Sequence, residues 1–445
     1  MIKNLHRLWA NSLFKNAVKL SSSNVLLYFL PLVVTPILSR IYLPETFGSW
    51  GIFSSTTVII TVFLLGCYEY VIVKASQSEI KDVIHLCLLL GGAIIIILFA
   101  GFNAGEYSGI EFFINYPSKN LLFIYLIISA GIVICQNYSN RKELYTLLAT
   151  SYLILGLSQA FFRILFGLIK IPLNGLILGT VVAQGVGLLY MTIKLFKYSK
   201  PLFGNICFYS IKLIAYKYKN FPIYDAPASL FSFGAFNLPI IILSIYFSRT
   251  EIGCFSMIIQ LLLMPMSFIG SAIGKVFYQQ IAEVNNDPDI IHRKALSIAK
   301  LLTYLALLPA LFILLGGDKI IVLFLGEKWH TAGMMALNLS IWSIPTIMSQ
   351  PILSIYRNLD NQKRLLFYSA LYFFAGAGSI WIGCYFGLPL GLILNLFAVC
   401  CFIAKIALTA DVYKMANIKF DELPKPALLA MMLTVTLWGV RNFIL

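Results

Sequence analysis

The residues of this chain that could do chemistry are a few cations, carboxamides and hydroxyls set into long apolar runs. Arg163 is the charge placed deepest in such a run, in YLILGLSQAFFRILFG. On a helix at about 100° per residue it shares a face with Tyr152 and Gln159, within an arc of about 40°. An arginine at the centre of a membrane costs roughly 2.5–3.5 kcal/mol on insertion scales, so it must meet water, a protein partner or a bound solute. A second reading stays open: near the outer end of its helix, Arg163 would snorkel to lipid headgroups. The first apolar run carries a polar stripe. Asn24, Tyr28, Pro31, Thr35 and Ser39 fall within an arc of about 80°. That pattern suggests a helix that lines something wet rather than one facing lipid on all sides. In a later run, Asp225, Ser229, Ser232, Phe236 and Pro239 share a similar arc.

Nothing in the sequence arranges these residues for covalent or metal chemistry. His6, His85, His292 and His330 are scattered. There is no GxxxxGK[ST] phosphate loop, no HExxH and no GxSxG. The chain reads as a transporter without a catalytic constellation, a metal or a cofactor, and proton or sodium coupling is left open. Of its eight cysteines only Cys400 and Cys401 are adjacent, so they read as small apolar packing residues rather than a disulfide frame.

The elements that must position these residues follow from composition. The chain has 445 residues, 60% hydrophobic and 11% charged, against about 25% charged in soluble domains. That is a polytopic membrane protein. The net charge of +15 does not indicate nucleic acid, because Lys and Arg sit in short clusters between apolar runs. Thirteen runs are long enough to span: 20–39, 47–66, 84–102, 120–138, 144–168, 173–195, 228–247, 252–273, 297–316, 333–355, 365–386, 388–408 and 424–443. With the N-terminus inside, 25 Lys and Arg sort to the cytoplasmic side, Lys405 among them, and 8 to the outer side. The basic segment 1–19 reads as an uncleaved interfacial lead-in.

The chain also repeats. Ile37-Leu38-Ser39 precedes Gly48 at the offset at which Ile242-Leu243-Ser244 precedes Gly253. Six runs, a basic segment and six more runs make a parallel repeat. The expected architecture is all-α: an N-lobe over 1–195, a basic cytoplasmic linker over 196–225, a C-lobe over 226–410, and a C-terminal segment over 411–445 holding an extra helix.

The run LSRIYLPETFGSWGIFSS, followed by Tyr68-Glu69-Tyr70-Val71-Ile72-Val73, resembles the opening of the bacterial polysaccharide-unit flippases. These are the Wzx-type O-antigen and capsule-repeat transporters of the multidrug/oligosaccharidyl-lipid/polysaccharide exporter (MOP) superfamily. Arg40, Pro44-Glu45-Thr46-Phe47-Gly48 and Tyr68-Glu69 stand where that family has an Arg, a Pro-Glu-x-aromatic-Gly turn and an aromatic-Glu. Many relatives have Arg before the aromatic-Glu, and this chain has Cys67. The resemblance implies two six-helix lobes around a central cavity, and alternating access for undecaprenyl-pyrophosphate-linked oligosaccharide units without ATP hydrolysis. It implies a multi-pass protein of the bacterial cytoplasmic (inner) membrane with its N-terminus cytoplasmic. The implied partners are the lipid-linked oligosaccharide, membrane lipids, and a polysaccharide polymerase and chain-length regulator. A small-molecule antiporter of the same superfamily and a membrane-embedded polymerase or ligase are the alternatives.

A lipid diphosphate needs cations, and arginine's fork of donors suits phosphate. The cavity candidates are Asn24, Tyr28, Arg40, Tyr152, Gln159, Arg163, Asp225, Lys275 and Arg357. Each charged member has a plainer reading. Arg40 could anchor at the interface and pair with Glu45. Asp225 could be a helix N-terminal acid. Lys275 and Arg357 could be positive-inside anchors. Glu69 could pair with Lys74 at a helix end or take part in ion coupling. Pro31, Pro36 and Pro239 would bend the striped helices, statically or as gates.

Overall fold

The computed structural model describes residues 30–199, 208–282, 288–312, 316–349, 353, 355–356 and 361–443. Among them all regular structure is helical, as lipid demands of a backbone that must satisfy its own polar groups. The helices are α1 (Leu30–Ile41), α2 (Pro44–Leu64), α3 (Ile80–Tyr107), α4 (Lys119–Arg141), α5 (Tyr145–Leu168), α6 (Gly175–Ser199), α7 (Phe208–Lys217) and α8 (Ala226–Tyr246). They continue with α9 (Arg249–Ala282), α10 (Pro288–Phe312), α11 (Asp318–Leu325), α12 (His330–Ser349), α13 (Gln362–Tyr385), α14 (Leu390–Met415) and α15 (Lys425–Phe443). Each of the thirteen expected runs falls on one of them, the first only through its second half. Among the described residues, eight helices are long and apolar enough to cross a membrane: α2 to α6, the segment Phe221–Tyr246 that contains α8, and α13 and α14.

The chain divides into two units. One comprises the described residues of Met1–Tyr42 and Ile52–Leu230; the other comprises Leu43–Gly51 and those of Phe231–Leu445. In the first unit α6 packs along α5 and α4, α3 packs on α4, and the short α7 lies on α3. Ile211 and Ile214 form its buried side. Asn174 caps α6, its Oδ1 accepting from the N–H groups of Leu176 at 3.0 Å and Ile177 at 3.2 Å. In the second unit α12 is the central element. It contacts α9, α10, α11, α14 and α15, and Ala332 to Leu337 and Leu339 to Ser349 are buried apart from Met334. α9 opens with a capping box: Ser248 N–H donates to Glu251 Oε2 at 2.9 Å, and Glu251 N–H donates to Ser248 Oγ at 3.3 Å.

The repeat read from the sequence has a physical counterpart within the second unit. A Cβ on Gly48 would stand 1.8 Å from the carbonyl oxygen of Arg249, and one on Gly253 would stand 1.8 Å from that of Pro44. Pro44 and Gly48 are the repeat equivalents of Arg249 and Gly253, so the contact is reciprocal. The first turns of α2 and α9 cross backbone to backbone, which only glycine allows. Arg249 Nη1 donates to Ser49 Oγ across this crossing at 2.8 Å.

Three expectations change. α2 ends at Leu64, so Glu69 does not close it. Gly66 and Cys67 both take φ of 60°, and Tyr68–Tyr70 forms a separate 3-10 turn that leads into the short helix Val71–Lys74. The Arg40–Glu45 pair is not formed: among the described residues the ion pairs are Lys119–Glu106, Lys217–Glu79, His292–Glu422 and Arg364–Asp411, and Arg40 is exposed. The linker expected over 196–225 contains the end of α6, α7 and a π-helical stretch at Phe221–Asp225, which leaves that expectation standing. Lys405, sorted with the cytoplasmic loops, lies inside α14 and is buried.

Candidate functional site

The site in the first unit is built around Arg163. α5 carries it, and Gly179 of α6 lets that helix lie directly against it; a Cβ there would stand 2.9 Å from the Arg163 nitrogen. One residue on, Thr180 receives the guanidinium: Nη2 donates to Thr180 Oγ1 at 2.8 Å and Nε at 3.2 Å. The threonine hydroxyl donates its own proton to the Leu176 carbonyl at 2.7 Å, which leaves its lone pairs for the arginine. The Tyr42 hydroxyl donates to the Arg163 carbonyl at 2.7 Å. Tyr125 of α4 lies within electrostatic reach of Arg163 and accepts from Gln184 Nε2 at 3.4 Å. Three helices and the turn after α1 thus converge on one permanent cation with hydroxyls and a carboxamide around it. Such a set can hold an anion and hydrogen-bond a polyol.

Of the residues chosen from sequence, Arg163 is half-buried and engaged as described. Tyr152 and Gln159 are half-buried on the same helix. Arg40 is exposed at the end of α1, in which Pro31 and Pro36 are half-buried; Ser39 Oγ donates to the Pro36 carbonyl at 3.0 Å. Asp225 is exposed at the end of the π-helical stretch before α8. Pro239 lies inside α8 and removes the N–H that would bond the Ala235 carbonyl. Gly376 of α13 packs beside that carbonyl. Asn24, Tyr28 and Arg357 lie outside the described residues, as does the side chain of Lys275 on α9. Thr180, Gln184, Tyr125 and Tyr42 were not singled out. The signal was present for two of them, since Thr180 and Gln184 are four apart in GTVVAQG and share a helix face.

Glu69 lies in the same unit. It is 7% exposed, and its Oε2 has no partner among the described residues. Burial raises its carboxyl to about 7. Lys74, the expected partner, sits instead over the Phe221 ring at 5.4 Å. The turn holding Glu69 is tied down by Tyr68, whose hydroxyl donates to the Ala215 carbonyl at 2.9 Å. Nearby, Arg141 Nη1 donates to the Ile72 carbonyl at 2.9 Å.

The second unit holds Lys405, 6% exposed on α14, with Nζ 4.3 Å from the centre of the Tyr372 ring. It also holds an apolar cavity of about 660 Å³ among α12, α14 and α15, lined by Met348, Phe402, Ile406, Met431, Met432 and Val435. No group of His, Cys, Asp and Glu suited to a metal occurs among the described residues.

The fold is shared with known transporters. The lipid II flippase MurJ, in an inward closed conformation, matches with a TM-score of 0.70 at 13% identity, over 96% of this chain and 97% of that one. A multidrug resistance MATE family transporter of the MOP superfamily, inward-facing, matches with a TM-score of 0.64 at 15% identity, over 90% and 98%. An outward-facing MATE family transporter of that superfamily matches with a TM-score of 0.54 at 13% identity, over 95% and 96%. At these identities the likeness establishes the fold. No curated protein matches the chain. The family model described as polysaccharide biosynthesis protein matches residues 37–333. That stretch takes in the glycine crossing, the Arg163 cluster and Glu69, and the chain belongs to the polysaccharide biosynthesis protein family.

Proposed function

We propose that this chain is a flippase that moves undecaprenyl-pyrophosphate-linked oligosaccharide repeat units from the cytoplasmic to the outer leaflet by alternating access. It would act in the bacterial cytoplasmic membrane with its N-terminus inside, supplying surface polysaccharide synthesis. The observation that carries this reading is the Arg163 cluster. A membrane helix of a polysaccharide biosynthesis protein presents a permanent cation beside Thr180, Tyr125 and Gln184, the donor set that a diphosphate and sugar hydroxyls require. The apolar cavity in the second unit, of the size of small-molecule sites, supports a substrate with a hydrocarbon part.

The test is deletion of the gene in a strain without a redundant flippase. Lipid-linked repeat units should accumulate on the inner leaflet and surface polymer should be lost, both restored by the wild-type chain. Arg163→Ala should fail to restore polymer at equal protein level. Normal polymer in the deletion strain would overturn the reading. Lost export of a cationic dye with polymer unaffected would establish the antiporter in its place.

A further inference from the structure

Lys405 is a charge-bearing residue that nothing above employs, in a place where a charge is expensive. α14 runs from Leu390 to Met415, so Lys405 lies ten residues, about 15 Å, from its end. The residue is 6% exposed, too deep to snorkel. A buried cation normally has a carboxylate beside it. Here, among the described residues, Nζ has no hydrogen-bond acceptor and no ion pair, and it meets the Tyr372 ring face at 4.3 Å. Asp411, the acid of the same helix, is taken by Arg364 at 3.1 Å and the Tyr356 hydroxyl at 2.8 Å.

The surroundings are aromatic. Tyr372 on α13 accepts from Trp342 Nε1 on α12 at 2.9 Å. Phe236 of α8 lies 5.7 Å from both rings, and Phe397 lies 5.9 Å from Trp342. Cys401, one turn before Lys405, touches the Tyr372 hydroxyl. The titratable groups facing Lys405 are therefore Tyr372 from α13 and Cys401 from α14, while α12 and α8 present Trp342 and Phe236. None of these balances an ammonium charge. A cation–π contact contributes about 2 kcal/mol when desolvated, against several kcal/mol for burying an ion. Lysine can escape that cost by releasing its proton, whereas arginine cannot.

We propose that Lys405 is a proton-binding site of the second unit, its amine neutral in the closed aromatic box and protonated when water reaches it. Proton uptake converts the Nζ amine to ammonium, the proton arriving from bulk solvent as hydronium, which leaves as water. The box then closes again only after the proton has left. Protonation and the packing of α14 on α13 thereby oppose each other, which couples proton binding to conformation whatever the transported substrate.

The test uses the purified full-length protein in detergent and the emission of Trp342, taken as wild type minus Trp342→Phe. This signal should change with pH as Lys405 takes up its proton. The transition should vanish in Lys405→Met and in Lys405→Arg, which keeps the charge and guards against a folding defect in the first variant. A transition that persists in both assigns the proton to Tyr372 or Cys401 and overturns the proposal. In cells, Lys405→Arg should lose the pH dependence of polymer export; an unchanged pH profile at wild-type export would make Lys405 a fixed cation and equally overturn it. The emission titration needs no substrate, so its result stands apart from the flippase test.

Discussion

Glu69 in the first unit and Lys405 in the second are 7% and 6% exposed, and neither has an opposite charge beside it among the described residues. One unit buries an acid and the other a base. Arg163 shows the other way of placing a charge in such a protein: it keeps its charge at every accessible pH and is met by a hydroxyl with two of its donors. The difference teaches where chemistry can change and where it cannot. A guanidinium on Thr180 is a fixed feature of the first unit, suited to holding an anion. Glu69 lies where desolvation favours the neutral form, so its charge can follow its surroundings, with the proposed proton site at Lys405 as its counterpart in the second unit.

The largest expected effect sets the tight crossing of the second unit against the looser contact in the first. Gly253→Ala and Gly48→Ala each push a methyl to 1.8 Å from a carbonyl oxygen, with backbone on both sides. Backbone cannot yield as a side chain does, so folded yield in detergent should collapse. In the first unit, Gly179→Ala would also meet backbone, the Arg163 nitrogen, but at 2.9 Å, where a small shift of α6 relieves it, and the cost should fall in the ordinary overpacking range of about 1–3 kcal/mol. Equal loss for both, by size-exclusion yield and thermal unfolding, would break the contrast.

Glu69 gives the next effect. Its carboxyl is raised from 4.5 to about 7 by burial. Below pH 4.5 it is neutral folded or unfolded. As pH rises toward 7 the unfolded chain ionises first, so stability falls, by on the order of 3 kcal/mol once both states are charged. Glu69→Gln removes this term. The variant should match wild type at acid pH and melt higher at pH above 7. A difference independent of pH would mean that Glu69 ionises alike in the folded and unfolded chain and is not held neutral by burial.

Within the Arg163 cluster the comparison can be sharpened by side-chain shape. Thr180→Val deletes the oxygen that accepts two guanidinium donors and should cost about 1.5–3 kcal/mol as a hydrogen bond to a charged group. Polymer export should fall further with Arg163→Lys than with Thr180→Val if the guanidinium fork holds the substrate. Equal defects would assign Arg163 to helix packing.

How far these features were legible differs between the units for a physical reason. Arg163 stood out because a charge interrupting an apolar run is visible in one dimension. Its partner Thr180 was not, because hydroxyls are common in membrane helices and only packing of α5 on α6 selects this one. The glycine crossing was half legible: the matched motif around Gly48 and Gly253 was seen, but not that the two motifs touch. Glu69 was assigned to a helix end because the apolar pattern runs through Gly66; the left-handed turn at Gly66-Cys67 carries no hydropathy signal. Lys405 was misplaced by the same rule that oriented the helices, since a charge near the end of an apolar run looks like a loop charge until α14 is seen to extend to Met415.

The smallest effect compares two ion pairs, one in each unit. Glu79 is held down at about 2 by the Lys217 ammonium, and Tyr218 adds a hydrogen bond at 3.2 Å. The lysine side chain is half in solvent, so the pair is screened, and Lys217→Ala should leave unfolding near wild type at moderate salt and neutral pH. Because the Glu79 carboxyl is depressed, whatever it contributes is present above its ordinary value and fades as pH falls toward 2. Asp411 in the second unit is better enclosed, at 13% exposure, and takes both the Arg364 guanidinium and the Tyr356 hydroxyl. Asp411→Asn should therefore cost more than Lys217→Ala, with the gap persisting as salt is raised. Convergence of the two variants at high salt would show that Asp411, like Glu79, is held by a solvated surface charge and not by the Tyr356 hydroxyl beneath it.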